Sequence, residues 1–311
     1  MSWSAFVVAR LRRVLLVLAA LVVVSFVLIR LAPGDPARII AGLRAGQESQ
    51  DEARELFHLD RGYWSQFGHY VVDLVRGDLG TSFVTREPVT SVIADNVGPT
   101  IQLALISLVI IVVLGGGLGF LSAILSSRCG RWFETAFSAA TGVMTAVPHY
   151  LLATFLVFTF ALAFPVLPVA GEGGLAIVLP SIAISLGPAA VVARLLRVRT
   201  LEVLDEPYIR AARSKRLSTP AFLVRHVLPN SLTTVLPLAG ILFAGLIGGA
   251  VVAEQVFARR GLGQALVNAV LARDYPVVQG ITLFVGVVVV LLNALIEVLM
   301  AVVDPKVKEQ L

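Results

Sequence analysis

Long apolar runs separated by shorter polar segments set the frame of this chain. Six stretches approach or exceed the about 20 residues that carry a helix across a hydrocarbon core: Val14 to Leu31, Thr100 to Leu125, Ala136 to Phe164, Leu175 to Leu196, Thr233 to Phe257 and Ile281 to Val303. The pattern predicts an all-α polytopic membrane protein with six transmembrane helices. Arg10, Arg12 and Arg13 precede the first stretch as they would a signal peptide. Beyond it, Ala32-Pro33-Gly34-Asp35-Pro36 offers no small-x-small cleavage site, so the stretch is read as a retained helix.

The polar segments orient these spans. Arginines precede the first helix, Arg128 and Arg131 follow the second, a basic island follows the fourth, and Lys306 and Lys308 follow the sixth. Short cationic loops stay in the cytoplasm, so both termini are expected there. The segment from Ala32 to Pro99 carries six arginines, but long loops are translocated largely regardless of charge. Arg259, Arg260 and Arg273 then fall outside as a mild exception. In the long outer segment, Phe57, Tyr63, Trp64, Phe67, Tyr70 and Phe83 argue for a small folded extracytoplasmic domain. The same rings also suit an aromatic belt at the membrane surface.

Composition narrows the function classes. Hydrophobic residues make up 57% of the chain and charged residues 14%, with a mean hydropathy of +0.88, outside the balance of soluble domains. The net charge of +5 would suggest nucleic acid in a soluble protein. Here the cations flank apolar spans, where orientation accounts for them, and nucleic-acid binding is set aside. Cys129 is the single cysteine, which excludes an intrachain disulfide and leaves no ligand set for a metal around it.

Within the spans, Gly115 with Gly119 and Gly245 with Gly249 have the small-xxx-small spacing that lets helix backbones approach closely. Pro148 interrupts the third span and removes a backbone donor, predicting a kink. His149 has no second His, Asp or Glu one turn away to make a metal or proton site. Glu297 is a carboxylate deep in a span, where an uncompensated charge costs several kcal/mol, and it is read evenly as functional or interhelical. Glu254, near the outer end of the fifth helix, is a candidate for the translocation path or a partner of Arg259 or Arg260.

The basic island from Arg197 to Asn230 is the most telling segment. It carries Arg197, Arg199, Arg210, Arg213, Lys215, Arg216 and Arg225 against Glu202, Asp205 and Glu206. Glu206 before Pro207 favours a helix that starts at Pro207, while Ser218 and Thr219 before Pro220 stop it and cap another. On the first helix Tyr208, Ala211, Ala212 and Lys215 share a face, leaving room for a partner while Arg210, Arg213 and Arg216 radiate charge. That arrangement suits docking against a protein. A helix lying on anionic lipid would explain the arginines but not the alanine pair or the proline-defined ends.

Arg210-Ala211-Ala212, three residues, Arg216, nine residues, His226 and then Leu228-Pro229 resemble the EAA loop of binding-protein-dependent ABC transporter permeases. Arg210 replaces the usual acidic residue and Arg216 the usual glycine. Gly77-Asp78-Leu79-Gly80-Thr81-Ser82, Glu254-Gln255-Val256-Phe257, Gly261-Leu262-Gly263, Arg273-Asp274-Tyr275-Pro276 and Asp304-Pro305 look like the dipeptide and oligopeptide subfamily. The resemblance implies a type I ABC importer permease of the bacterial cytoplasmic membrane. Its parts would be an N-terminus and first helix over 1–31, an extracytoplasmic segment over 32–99, a permease core over 100–303 with a coupling loop at 197–230, and a tail over 304–311.

The same resemblance implies a homologous second permease, two ATPase subunits or one fused ATPase, and an extracytoplasmic substrate-binding protein. ATP and Mg would be bound by the ATPases, with no cofactor in this chain. Docking would fall to Tyr208, Arg210, Ala211, Ala212, Arg213, Ser214, Lys215, Arg216, His226 and Pro229, and path candidates are Glu254, Glu297, Pro148 and His149. The three lysines, Lys215, Lys306 and Lys308, close no Gly-x-x-x-x-Gly-Lys-Ser/Thr loop, so ATP hydrolysis is expected elsewhere. Peptide is the expected cargo, with nickel, glutathione or haem as alternatives. Two rival classes are a proton-coupled carrier titrating at Glu297 and an intramembrane hydrolase using Ser138 or His149; the second lacks any nucleophile elbow or zinc motif.

Overall fold

The computed structural model describes residues 3–31, 37, 46–47, 62–171, 174–209, 219–233 and 235–303. Among them every regular element is a helix. Helix α1 is Trp3–Leu31 and α2 is Tyr63–Val75. Helix α3 is Val89–Ser126, with a π-helical turn at Ile111–Gly115. Gly130, at φ 70° and ψ −172°, breaks it from α4, Gly130–Ala146, which is followed by α5, His149–Ala163. Helix α6 is Val178–Asp205. The run α7 joins Thr219–Phe222, a π-helical turn Leu223–Val227, and Leu228–Leu232. Helices α8, Val235–Val256, α9, Leu262–Ala272, and α10, Tyr275–Val303, complete the chain.

Each of the six apolar stretches is therefore helical, with two departures from the sequence reading. Helix α3 begins at Val89, well before Thr100, and carries Pro99 inside it. Asp95, Asn96, Gly98 and Pro99 read as loop residues in the sequence, but they form the opening turns of the span. The third stretch is broken rather than kinked, α4 and α5 meeting at 95°. Val147 before the proline is extended at ψ 120°, and Pro148 is extended at ψ 142°. The proline ring excludes the preceding residue from helical geometry, and its missing N–H leaves no bond to bridge the gap. By length and composition, among the described residues, Val89–Ser126, Val178–Asp205 and Tyr275–Val298 are each long and apolar enough to cross a membrane, and the bent pair makes a fourth if taken as one span.

The chain divides into two units, one taking in 1–99, 260–294 and 306–311, the other 100–259 and 295–305. In the first, Val89, Ile93, Leu262, Ala269, Val277 and Ile281 form the core. Close approach there rests on glycine. A Cβ on Gly280 would lie 2.3 Å from Val89 Cγ1, and one on Gly286 would lie 2.4 Å from Leu21 Cδ2, so α10 presses directly on α3 and α1.

The second unit is organised around α6, whose Leu179, Ala183, Ile184, Ala189, Val192 and Leu196 are buried in one apolar cluster with Leu103 and Ile111 of α3, Leu156 of α5 and Leu246 of α8. Small residues recur every fourth position along α6, at Ser181, Ser185, Ala189 and Ala193, and meet Ser107, Gly115 and Gly119 of α3. Ser185 Oγ donates to the Ser107 carbonyl at 3.1 Å. A Cβ on Gly115 would sit 2.5 Å from the Ala189 carbonyl oxygen, and one on Gly119 the same distance from that of Ala193. The paired numbers rise together, so the two helices run parallel with their backbones in contact. Lipid offers no hydrophobic drive for helices to associate, and such contact between small residues supplies the attraction instead. Gly245 and Gly249 behave differently, since among the described residues nothing lies within 4 Å of where a Cβ at either position would be.

Gly119→Ala should therefore destabilise the purified chain by about 1–3 kcal/mol, the usual cost of overpacking, because the neighbouring atom is backbone and cannot rotate away. Gly249→Ala should be neutral or stabilising by up to about 1 kcal/mol, the helix-propensity difference between the two residues. Thermal loss of helical circular dichroism in detergent checks both, and equal midpoints for the two variants would contradict the seam.

Candidate functional site

The polar island grows out of the end of α6. Glu206 is extended at φ −64° and ψ 142°, as its position before Pro207 dictates. A helical turn resumes at 207–209, and the Ile209 amide donates to the Glu206 carbonyl at 3.1 Å. Ile209 is buried in a small apolar cluster with Val203 of α6 and Phe222 and Val227 of α7, with Phe120 of α3 packed against it. Both feet of the island thus stand on one patch of core. Tyr208, just before Ile209, is exposed.

On the returning side Pro229 lies in the first turn of Leu228–Leu232. Proline cannot donate to the residue four back and its ring crowds that carbonyl, and the backbone just before it widens into the π-turn that carries His226. The His226 ring is 6.3 Å from that of Phe222, and its carbonyl accepts a bond from Asn230 Nδ2 at 2.7 Å. Of the residues singled out for docking, Arg210, Ala211, Ala212, Arg213, Ser214, Lys215 and Arg216 lie outside the described residues.

A second layer braces α6 just before the island. Arg197 Nη2 donates to Ser126 Oγ and to Glu134 Oε1, each at 3.0 Å, and its guanidinium lies 5.4 Å over the ring of Phe137. One turn earlier, Arg194 Nη2 donates to Thr145 Oγ1 at 2.7 Å. The sequence reading counted Arg197 only as an orienting charge. Its signal was position, four residues after Ala193 on the small-residue seam, which points it at the α3 and α4 neighbours.

The path candidates do not converge on one described cluster. Pro148 caps α5, and half-buried His149 places Cε1 3.5 Å from where a Cβ on Gly187 would be. Glu254 is fully buried and accepts a bond from Thr100 Oγ1 at 2.6 Å. Arg259 Nη2 donates to Gln102 Oε1 at 2.9 Å, while Arg260 lies 3.7 Å from Asp95. Glu297 is half-buried on α10. Among the described residues no group of three or more His, Cys, Asp or Glu could hold a metal ion.

In the other unit the structure joins two motifs that the sequence left apart. Gly77 and Gly80 sit at φ 80° and 82°, conformations that glycine reaches without strain, and Asp78 Oδ1 accepts the Gly80 amide at 2.8 Å. The turn delivers Ser82 to Asp274, which is buried between α9 and α10. Asp274 accepts the Ser82 hydroxyl, the Phe83 amide at 3.0 Å and the Val84 amide at 3.4 Å. One carboxylate thereby satisfies a hydroxyl and two backbone donors of an irregular loop.

Comparison with known proteins follows the same helices. Residues 115–309 match the family model for the binding-protein-dependent transport system inner membrane component, and residues 4–104 match its N-terminal companion. The chain belongs to this family of ABC importer permeases. The permease is 37% identical over 314 residues to a protein of Brucella abortus (strain 2308) described as a peptide transport system permease, covering 98% of this chain and 99% of that one. It is 34% identical over 304 residues to the glutathione transport system permease GsiC of Shigella flexneri, covering 97% and 98%. Among solved structures, an amino acid ABC transporter crystallised with histidines has a TM-score of 0.52 at 18% identity, covering 68% of this chain and 94% of that one. The permease thus has the all-helical type I importer fold, and it is the transport subunit of its machine.

Asp274→Ala should free the loop over 82–88. The part-buried Phe83 amide would lose its acceptor, at a cost of about 1–3 kcal/mol, so it should exchange with deuterium at least about tenfold faster, while the Val84 amide keeps its bond to Ser82 Oγ at 3.2 Å and α3 and α10 stay protected. Unchanged exchange at the Phe83 amide would remove the clasp.

Proposed function

We propose that this permease imports peptides across the bacterial cytoplasmic membrane by alternating access, driven by ATPases that dock on the 197–230 loop. The observation that carries the cargo assignment is near-full-length similarity to a permease named for peptide transport. A second reading, glutathione, is favoured by the similarity to GsiC. In the proposed arrangement all six apolar stretches span the bilayer, both termini face the cytoplasm, and the segment between α1 and α3 forms a small outer domain. A homologous permease completes the pore as a heterodimer, an outer binding protein delivers the substrate, and the two ATPases hold ATP and Mg.

The mechanism follows from what supports the loop. Closure of the ATPases on ATP pushes on Tyr208 and the Arg210–Arg216 segment, with Ala211 and Ala212 as the close-contact face and the arginines and Lys215 as its charged rim. His226 and Pro229 set the return angle. Since Ile209, Val203, Phe222 and Val227 share one buried cluster, a push on the loop is passed to α6. The Arg197 contacts with Ser126 and Glu134 pass it on to α3 and α4, so the group turns as a body rather than bending. Pro148, His149, Glu254 and Glu297 remain the candidates along the path. The Thr100 bond supports a positioning role for Glu254, since it holds the carboxylate in place within its own unit.

The test uses the assembled transporter in vesicles, with labelled dipeptide and glutathione as cargo. The wild type should take up dipeptide only when ATP and the binding protein are both present. Ala212→Glu should leave the chain inserted and the ATPases hydrolysing, with uptake reduced at least about tenfold, since a charged side chain in a close-contact face costs several kcal/mol. Full coupled uptake by Ala212→Glu would refute the docking role. Uptake driven by a proton gradient without ATP would refute the ABC mechanism itself.

A further inference from the structure

Helix α2 has three kinds of surface, and one of them lacks an explanation. Phe67 and Tyr70 pack on α1. The Phe67 ring meets Phe26 edge-on at 5.0 Å, Tyr70 lies 5.7 Å from Phe26, and the Tyr70 hydroxyl donates to Ser25 Oγ at 3.4 Å. Ser65, His69 and Asp73 form a polar, exposed sector. Between the two lies an apolar shoulder of Trp64, Val72 and Val75, which are 88%, 47% and 84% exposed. At 100° per residue these three span about 80° of the helix, between the face that packs on α1 and the polar sector, with Val72 bordering Ser65 and Asp73 about 100° further round.

We infer that α2 lies in the outer membrane interface, with Trp64, Val72 and Val75 dipped into lipid, Ser65 at the waterline, and His69 and Asp73 facing water. The inference rests on reading α1 as a span, and the depth follows from it. Phe26 is five residues before the end of α1 at Leu31, so the contact sits about 7.5 Å below that end at 1.5 Å per residue. Interfacial helices bury their apolar face about 5–10 Å into the boundary between headgroups and acyl chains. The α1 surface near the contact is itself apolar and open at Val23, Val24 and Val27, so the shoulder of α2 continues a surface that already needs lipid. A tryptophan at the edge of such a shoulder suits this depth, since indole is favoured where apolar chains meet headgroups. The polar sector then has water to face, which a helix packed into the bundle would not provide.

Spin labels at single cysteines in a Cys129→Ser background, with the full chain in phosphatidylethanolamine and phosphatidylglycerol vesicles, test this. Labels at Val72→Cys and Val75→Cys should collide with membrane-dissolved oxygen at least about twice as often as with an aqueous nickel chelate, and the label at Asp73→Cys should show the reverse preference. A label at Val24→Cys monitors α1. If it is in lipid while the Val75 label prefers nickel, the α2 assignment fails alone; if it is open to water, the span and the assignment fail together. A Val75 label that loses contact with both reagents when a substrate-binding protein is added would assign the shoulder to that protein and overturn the lipid proposal.

Discussion

The parallel contact between α3 and α6 is the constraint on which the second unit depends. Inside a bilayer, apolar surface gains little by leaving lipid, so helices associate through close packing and through polar bonds that lipid cannot replace. Gly115 and Gly119 meet the carbonyls of Ala189 and Ala193 at distances that leave no room for a methyl group, and Ser185 adds a hydrogen bond to the Ser107 carbonyl. These contacts fix both the spacing and the register of the two helices. The larger residues then fill the sides of α6, with Leu103, Ile111, Leu156 and Phe257 in a single apolar cluster around it.

In the proposed mechanism the seam matters for transport because of where α6 goes next. The helix runs on past its small residues into Arg194 and Arg197, which bond to Thr145, Ser126 and Glu134, and then into the cluster that holds the feet of the loop. A long side chain such as Arg197 can bury its apolar stem while its head bonds to polar groups, and the Arg197 head reaches Ser126 near the end of α3 and Glu134 of α4. The sequence of supports, backbone contact, then arginine brace, then apolar footing, is one of increasing distance from the packed interior. Force applied at the loop meets a stiff element at every step.

Much of this was legible in the chain. The long helices were visible because long apolar runs have few other uses, and the first glycine pair was visible because its spacing matches a helical turn. The second pair, Gly245 and Gly249, has identical spacing, and among the described residues nothing lies within 4 Å of a Cβ built on either; spacing reports that close approach is possible and cannot say whether a partner is present. Pro148 announced a disturbance, yet the right-angle turn depends on Val147 and Pro148 both being extended, a choice settled by how α5 packs on α6 and α8. The start of α3 was misplaced because Asp95, Asn96, Gly98 and Pro99 have turn-like propensities that the packing of Val89 and Ile93 overrides. The bond between Ser82 and Asp274 was beyond reach, since two residues so distant in sequence carry no local sign of meeting.

The central claim is that α3 and α6 move as one body when the ATPases close. Nitroxide labels at Leu121 on α3 and Val198 on α6, both exposed, in a Cys129→Ser permease assembled with its partners, allow the distance between the helices to be measured by pulsed electron resonance. The account predicts the same distance distribution without nucleotide and with ATP trapped in the closed ATPases. A shift of about 5 Å, one helical turn of sliding, would contradict it.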